Sequence, residues 1–476
     1  MSDMLNSIGW IVVVNLILYF RRLRHRFVSD DFSAWKNPPV PKGPWHKLWL
    51  QASGQMKIYA KSVQFVRANG KWFMAVSRKE EMEHFFAIFL HICICVSIYF
   101  AFGSSWVSFV AAMLYSVNPV NNQGTIWPSG RGYVYPILFL LLAIAMQNVN
   151  LVKPLAWHEV SPVSIGLAGV FLWAGAWYTA GFLSSLTLIG SKAWYLLGFM
   201  PIVWFIHSRK FKKAVLNKHN TECFTEDKII HPKKLILAIK SFGFYFILCL
   251  FPWRITFYHN FLQSSAGSMK HKNYTLCRFF WAGLFVLSGM VYYGLHQWDT
   301  FIWSLLAFLI GIIPFCNLWR ANQEIAERFA ALPNVFLMYA LAQVIAPYPH
   351  AFTAILAFYA TRTMWTLKMY QDEFYISEIA ICEDEHAWWA WHCNAMKRWE
   401  HQSYREALIL WVRACMLSPN EFKLLINIAT CLKMVKNDAE AEIYLKRAEA
   451  NIVPGQEKTA MEYIEAHRKG NLPILM

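Results

Sequence analysis

One uncharged stretch decides the fold class: residues 84–121, HFFAIFLHICICVSIYFAFGSSWVSFVAAMLYSVNPVN. It contains two apolar runs, at 84–103 and 105–121, each close to the roughly 20 residues that a helix needs to cross a bilayer. Similar runs lie on both sides of it, at 8–20, 131–147, 164–180, 182–206, 234–252, 277–296, 300–316, 333–347 and 350–366. The sequence therefore predicts an all-α, polytopic membrane domain of about eleven spans over residues 1–366.

The composition of the whole chain agrees with a membrane protein. Of its 476 residues, 57% are hydrophobic and only 16% are charged, whereas soluble globular domains carry roughly 25% charged residues. These values exclude disordered, collagen-like and small disulfide-linked chains. The net charge of +16 falls in short clusters between apolar runs, as it does in proteins that contact anionic headgroups. We therefore expect membrane lipids as partners, and no nucleic acid.

The ten cysteines give no sign of a metal centre. No CxxC pair occurs, and no Cys/His set has the spacing of a zinc finger. Several cysteines lie inside apolar runs, where a small polarizable side chain packs well. We expect no protein-bound metal from the cysteines.

The most basic loop predicts the orientation. Residues 207–234 carry eight Lys or Arg against three acids, so this loop is expected in the cytoplasm. Eleven spans then place the amino terminus inside, and Arg21, Arg22, Arg24 and Arg26 oppose this arrangement. The segments expected outside are a large first loop at 27–83, with Trp45–Val66 as an interfacial helix, the loops 118–131, 253–276 and 317–332, and the tail.

The tail after a linker at 367–382 has a soluble composition and a 34-residue period. Ala441 and Ala448 follow Ala407 and Ala414 by 34 residues. Trp391 and Leu425 show the same spacing at the large position of each first helix, and Tyr404 and Pro419 fit further repeat positions. This pattern is typical of tetratricopeptide (TPR) repeats. We predict a TPR domain at 383–476, with a capping helix at Gln456–Lys469 and with Trp391, Tyr404 and Leu425 in its protein-binding surface.

Ordered polar motifs lie in the predicted loops and span ends. In chain order they are Phe27-Val28-Ser29-Asp30-Asp31, His84 with His91, Asn118-Pro119-Val120-Asn121-Asn122-Gln123, Trp127 with Ser129-Gly130-Arg131, Ser191-Lys192-Ala193, Pro314 with Asn317, Ala326-Glu327-Arg328-Phe329, Leu332-Pro333, and Arg362 with Trp365. With the repeats, they resemble the transmembrane and tetratricopeptide repeat O-mannosyltransferase-like family of GT-C glycosyltransferases. The resemblance covers nearly the whole chain. It implies a GT-C-like membrane fold and a lipid-linked sugar as donor, with no certain cofactor and a divalent metal left open.

The chain departs from the family at titratable positions. The family pattern at 118–131 reads His-Pro-x-His-x-Glu, then Trp, then Ser-Gly-Arg. Here Asn118 and Asn121 replace the histidines, Gln123 replaces the glutamate, and Ala193 replaces the glutamate of a Ser-Lys-Glu element. An amide cannot take a proton at working pH. The acid–base or metal-ligand roles of these positions are therefore in question here.

The resemblance implies that Asp30 or Asp31 is the catalytic base. This residue would take the proton of the acceptor hydroxyl. A solvated turn before the prolines is the alternative for this pair. Donor phosphate would be bound by cations near one membrane surface, and Glu327 with Arg328 can also form a structural ion pair. The residues assigned to the phosphate or the lipid carrier are Arg131, Arg254, Glu327 and Arg328.

Four further residues are possible substrate contacts: His84, His91, Asn118 and Gln123. His84 and His91 are seven residues apart and so share a helix face, where histidines can also simply pack.

Two functions from different classes follow. The first is a membrane glycosyltransferase that moves a sugar from a polyprenyl-phosphate carrier to a protein or glycan hydroxyl outside the cytoplasm, with the acceptor protein held by the repeats. The second is a catalytically degenerate scaffold whose repeats dock a partner protein. Either places the chain in a bacterial inner membrane or the endoplasmic reticulum. The retained charged motifs favour the enzyme, and the lost His and Glu residues favour the scaffold.

Overall fold

The computed structural model describes the following residues: 2–20, 62–68, 71–77, 79–126, several between 134 and 145, 232–253, 255, 277–297, 299–316, 325–371, 373–383, 385, 387–452 and 457–470. They are helical apart from one two-stranded hairpin, which confirms the predicted helical class. The described elements are α1 Ser2–Tyr19, β1 Ser62–Ala68, β2 Lys71–Ser77, α2 Lys79–Ala101, α3 Trp106–Val117, α4 Asn122–Ile126, α5 Pro232–Leu250, α6 Arg278–His296, α7 Thr300–Ile312, α8 Ala331–Ile345, α9 Pro349–Thr366, α10 Glu373–Glu383, α11 Trp388–Glu400, α12 Tyr404–Leu417, α13 Phe422–Met434, α14 Asp438–Ala450 and α15 Glu457–Arg468.

Three of the described helices are long and apolar enough to cross a membrane: α1, residues Glu83–Ala101 of α2, and α6. Shorter apolar helices are α3, Leu235–Leu250 of α5, α7 and α8. The bounds of α2, α3 and α5 to α9 follow the predicted apolar runs to within a few residues. The runs at 164–180 and 182–206 lie outside the described residues. The total of about eleven spans therefore stays a prediction.

The helix of the predicted span 105–121 ends four residues before the apolar run does, where the loop predicted at 118–131 begins. Helix α3 ends at Val117, and Asn118 has an extended backbone with φ −75° and ψ 120°. A residue before proline is disfavoured in the helical region, and Pro119 follows. The chain then makes a 3-10 turn at Pro119–Asn121 and re-enters a short helix, α4.

The first predicted loop contains a hairpin. Strands β1 and β2 pair antiparallel, with Ser62 opposite Ser77 and Val66 opposite Phe73. The last residues of the interfacial helix predicted at 45–66 are therefore strand, and residues 45–61 lie outside the described residues. The sequence carried the signal: β-branched and aromatic residues flank Asn69-Gly70, a strong hairpin dipeptide.

Helix α3 lies at the centre of the membrane bundle, against α1, α2, α8 and α9. Its residues from Val110 to Val117 are all buried. At its amino end, the Trp106 indole N–H donates to the carbonyl of Ala346 at 2.9 Å. At its carboxyl end, the Tyr115 hydroxyl donates to the carbonyl of Ala331 at 3.2 Å. These two bonds fix α3 and α8 antiparallel to each other.

The segment predicted as a linker, 367–382, is largely helical and continues the fold. Leu367, Met369 and Tyr370 are buried in the core of the bundle, and Ile376 of α10 joins them. Exposing these apolar side chains to water would be unfavourable, so the segment packs against the bundle and does not form an open linker. The bundle therefore extends through α10.

Two helix pairs of the tail repeat at 34 residues. Helices α11 and α13 begin at 388 and 422, and α12 and α14 begin at 404 and 438. The alanines at 407, 414, 441 and 448 are fully buried between these helices, as the sequence pattern predicts. A fifth helix, α15, occupies most of the segment predicted as a cap.

Helices α5 and α6 cross at a pair of glycines. A β-carbon on Gly283 would lie against the carbonyl oxygen of Ile239 and 3.1 Å from the backbone nitrogen of Gly243. A β-carbon on Gly289 of the same helix would have no atom within 4 Å. Small residues at such a crossing let two helix backbones approach closely, which stabilises helix pairs in a bilayer.

We expect Gly283→Ala to lower the stability of the protein by about 1–3 kcal/mol, because the new methyl group overpacks the crossing. Gly289→Ala is the matched control and should be neutral or slightly stabilising, since alanine is the better helix former. Thermal unfolding of both variants in the same detergent measures the difference. Equal melting temperatures for the two variants would contradict the close crossing.

Candidate functional site

The interrupted segment Asn118–Ile126 lies at one end of the bundle, where several helix ends meet. The Asn118 amide donates to the carbonyl of Cys249, the next-to-last residue of α5, at 2.8 Å. Its side-chain oxygen accepts from the backbone N–H of Val120 at 3.1 Å. The nitrogen and the oxygen of the Asn118 side-chain amide thus both bond to backbone groups around the break. We call this segment the polar junction, together with the groups that bond to it or to Ser116 just before it. These groups are the side chains of Tyr19, His84, His91, Asn334 and Thr366 and the backbone N–H of Arg328.

Two neighbouring asparagines tie the polar junction to three other helices. The Asn121 amide donates to the carbonyl of Tyr115 at 2.7 Å and its oxygen accepts from Asn334 of α8 at 3.2 Å. The Asn122 amide donates to the Thr366 hydroxyl of α9 at 2.6 Å. Its oxygen accepts from the Tyr19 hydroxyl of α1 at 3.2 Å. The three partner side chains are buried, so these bonds form where water cannot replace them.

The two predicted histidines meet the polar junction from one face of α2. His84 Nδ1 lies 2.9 Å from the carbonyl oxygen of Ile126. His91 Nε2 lies 3.2 Å from the carbonyl oxygen of Ser116, and its Nδ1 lies 3.1 Å from the Thr125 hydroxyl. A carbonyl oxygen only accepts, so each facing ring nitrogen carries a proton. The shared face predicted from their spacing is confirmed, and both rings are buried.

Arg328 and Gln123 join two predicted loops that are far apart in the sequence. The backbone N–H of Arg328 donates to the Gln123 side-chain oxygen at 3.0 Å. Residues Glu327–Phe329 form a 3-10 turn just before α8, and both Glu327 and Arg328 are buried. The Arg328 guanidinium lies 5.0 Å from the ring centre of Phe329, which stacks on Phe315. The turn therefore holds a carboxylate and a guanidinium inside the same end of the bundle.

Six of the sequence-predicted site residues come together at this end: His84, His91, Asn118, Gln123, Glu327 and Arg328. The other four, Asp30, Asp31, Arg131 and Arg254, lie outside the described residues. Among the described residues, no group of three or more His, Cys, Asp or Glu side chains could hold a metal ion. The sequence analysis missed Tyr19, Asn334 and Thr366, although each is a polar residue near the end of an apolar run.

Chemically, the described residues at this end include the imidazoles of His84 and His91, the Glu327 carboxylate and the Arg328 guanidinium. A guanidinium can bind phosphate through two parallel N–H groups. The amides of Asn118 and Asn121 are donors and acceptors only, and both bond within the protein. These amides therefore hold the surrounding backbone.

The tail residues predicted for a protein-binding surface have different environments. Leu425 is fully buried, so its assignment to that surface is wrong: its side chain packs in the tail core. Trp391 is half-buried, donates to the carbonyl of Glu385 at 2.9 Å and lies under the guanidinium of Arg413. Tyr404 is half-buried against Trp399. Trp391 and Tyr404 keep some exposed surface.

A buried histidine lies between the first two helices of the tail. The Trp411 indole N–H donates to His392 Nδ1 at 3.0 Å, and Trp411 is fully buried. Burial, followed by the charge of Lys423, lowers the pKa of His392 to about 4. An accepting Nδ1 must be unprotonated. The packing of α11 on α12 therefore depends on a neutral imidazole.

We expect Gln123→Leu to destabilise the protein by about 1–3 kcal/mol, because the N–H of Arg328 loses its buried acceptor. Gln123→Glu keeps an acceptor oxygen at this position but brings an ionisable group into a fully buried site, so it should lose stability as well. Gln343→Leu is the control, since its two bonds are long, at 3.4 and 3.5 Å. Thermal unfolding of the three variants ranks them. A loss for Gln343→Leu as large as that for Gln123→Leu would contradict the role of the Gln123 bond.

We expect the tail to lose stability as the pH falls from 6.5 towards 4. The folded pKa of His392 lies below its unfolded value, so the unfolded tail binds the proton first, and the stabilisation is complete only above about pH 6.5. The loss should reach about 3 kcal/mol at most. Hydrogen exchange of peptides covering α11 and α12 in the full chain, corrected for intrinsic exchange, measures it. His392→Gln should flatten this pH dependence, and an unchanged slope would refute it.

Known proteins provide no counterpart for this chain. No protein family, no curated protein and no solved structure matches this chain. Function is therefore argued from the residues of the polar junction and of the tail alone.

Proposed function

We propose that this protein is an integral membrane glycosyltransferase of the GT-C type. It transfers a sugar from a polyprenyl-phosphate donor to a hydroxyl group of a protein or glycan on the extracytoplasmic side. One observation carries the proposal: motifs that are distant in the sequence meet at one end of the bundle. The bond between Gln123 and Arg328 joins the two most informative motifs, and His84 and His91 bond to the same segment.

The transfer needs a base for the acceptor proton, a cation for the donor phosphate, and alignment of the two substrates. The acceptor oxygen attacks C1 of the sugar, its proton passes to a carboxylate, and the bond from C1 to the phosphate oxygen breaks with inversion. The bond electrons leave with the carrier phosphate, whose charge a guanidinium stabilises. We assign the base to Asp30, with Asp31 as the alternative, and the phosphate contacts to Arg131, Arg254 and Arg328.

Arg328 is suited to a phosphate that enters the bundle from the membrane. Its backbone is fixed by Gln123 and its side chain is only 7% exposed, so it has little water to displace. In surroundings of low dielectric, an interaction between charges is much stronger than in water. Glu327 beside it supplies a carboxylate that can orient a guanidinium. This pair would therefore hold the donor and align it with the acceptor.

The tail would hold the acceptor protein. Its two helix pairs repeat at 34 residues with fully buried alanines at the crossings, which supports TPR repeats. Such repeats bind extended protein segments along one face. Trp391 and Tyr404 keep exposed surface for this contact.

A second candidate function is a catalytically degenerate scaffold in which the tail docks a partner protein. The hydrogen bonds of Asn118, Asn121 and Gln123 favour this function. The resemblance implies His or Glu at these three positions. All three side chains bond to backbone groups of the bundle itself. On this proposal the polar junction is retained for folding only.

An assay with a radiolabelled polyprenyl-phosphate sugar tests the enzyme. Asp30→Asn should lower turnover by about 10²–10⁴-fold, as expected for loss of a general base, with carrier binding unchanged. Arg328→Ala should weaken carrier binding itself. The matched control is Lys446→Gln, which removes an exposed cation of the tail, outside the proposed site.

Wild-type transfer by both Asp30→Asn and Asp31→Asn would rule out this catalytic assignment. If the wild-type protein transfers no sugar from any lipid-linked donor, the scaffold is the better proposal. In that case the tail should still bind a protein partner, and Trp391→Ala should weaken the binding.

A further inference from the structure

A basic and aromatic patch lies at the carboxyl end of α9. It consists of Trp253, Arg362, Trp365 and Lys368. The guanidinium of Arg362 lies 5.7 Å from the ring centre of Trp253, and the ammonium of Lys368 lies 5.1 Å above Trp365. Trp253 is 69% exposed and Trp365 is 48% exposed. The patch thus points away from the core of the bundle.

Arg362 is fixed in place by the end of another helix. Its Nε donates to the carbonyl of Pro252 at 3.2 Å, and its Nη2 donates to the carbonyl of Trp253. These carbonyls follow the last turn of α5, where no further helical N–H is available. The bonds hold a positive charge at the bundle edge, one helical turn from Trp365.

Exposed aromatic residues lie at both ends of α9, Tyr348 before its first residue and Trp365 in its last turn. Helix α9 has 18 residues and is about 27 Å long, close to the roughly 30 Å hydrocarbon core of a bilayer. At its other end Tyr348 is exposed, next to Trp106, which donates to Ala346. Tyr and Trp are enriched at both membrane interfaces.

We propose that this patch binds the phosphate headgroup of an anionic membrane lipid. Exposed Phe251 and Met364 lie next to it in the sequence and suit the acyl chains. The two cations suit a phosphate, and Trp rings favour the headgroup layer. Arg328 is buried inside the polar junction, whereas the patch faces outward, so its occupant is a bulk lipid rather than the sugar carrier. The inference is independent of the proposed transferase activity.

Native mass spectrometry of the full chain in detergent, titrated with phosphatidylglycerol or phosphatidylcholine, tests this site. The wild-type protein should retain a first phosphatidylglycerol about fivefold more tightly than phosphatidylcholine, since a basic residue near an anionic headgroup contributes about that factor. Lys368→Gln should remove most of this preference, and Lys368→Arg should restore it. Lys446→Gln, which changes an exposed lysine of the tail, should leave it unchanged.

Three outcomes would overturn the proposal. The first is an unchanged lipid preference in Lys368→Gln, and the second is an equal loss in Lys446→Gln. The third is displacement of the bound lipid by millimolar inorganic phosphate or by a polyprenyl phosphate at equal concentration. The last result would assign the patch to free phosphate or to the sugar carrier. A melting temperature for Lys368→Gln close to wild type excludes misfolding as the cause of a loss.

Discussion

The break of α3 at Asn118-Pro119 is the constraint on which the rest of the bundle depends. A helix that ends at a buried position leaves backbone carbonyls and N–H groups without helical partners, and no water reaches them there. The chain meets this need with side-chain amides and hydroxyls. Asn118 bonds to α5, Asn121 to α8, and Asn122 to α1 and α9. Satisfying one irregular segment therefore positions four helices at the same end.

Three neutral amides support the fold but cannot act as acids or bases. Asn118, Asn121 and Gln123 form neutral hydrogen bonds to the bundle at positions where the resemblance proposed from the sequence implies titratable residues. A neutral amide in a buried site avoids the cost of a buried charge. The charged groups of this end are concentrated instead in the turn at Glu327–Phe329. Any chemistry at this end would therefore depend on the retained carboxylates and arginines, while the amides hold the geometry.

The bundle and the tail are stabilised by different physics. In the bundle, the backbones of α5 and α6 approach closely at Gly243 and Gly283, where a β-carbon would not fit. In the tail, alanines at a 34-residue period allow close crossings, and apolar burial around Trp411 supplies the driving force. The helical segment at 367–383 joins the two parts, because Leu367, Met369 and Tyr370 pack in the core of the bundle.

The sequence by itself determined the helical class, the positions of most described helices and the register of the tail. These follow from local periodicity and from runs of apolar residues, which do not need the rest of the chain. It also marked His84 and His91 as residues of one face. It placed the start of a loop at residue 118, where α3 ends, but it did not reveal the hairpin at 62–77, although Asn69-Gly70 carried the signal.

Only the tertiary structure decided which polar side chains meet. Tyr19, Asn334 and Thr366 are isolated polar residues in the sequence, and nothing local says that they reach Asn121 or Asn122. The burial of Leu425 was likewise invisible, because a repeat pattern gives a position in a helix but not which side of it a neighbouring helix covers. Contacts between residues far apart in the chain depend on how helices pack, and packing is a property of the whole bundle.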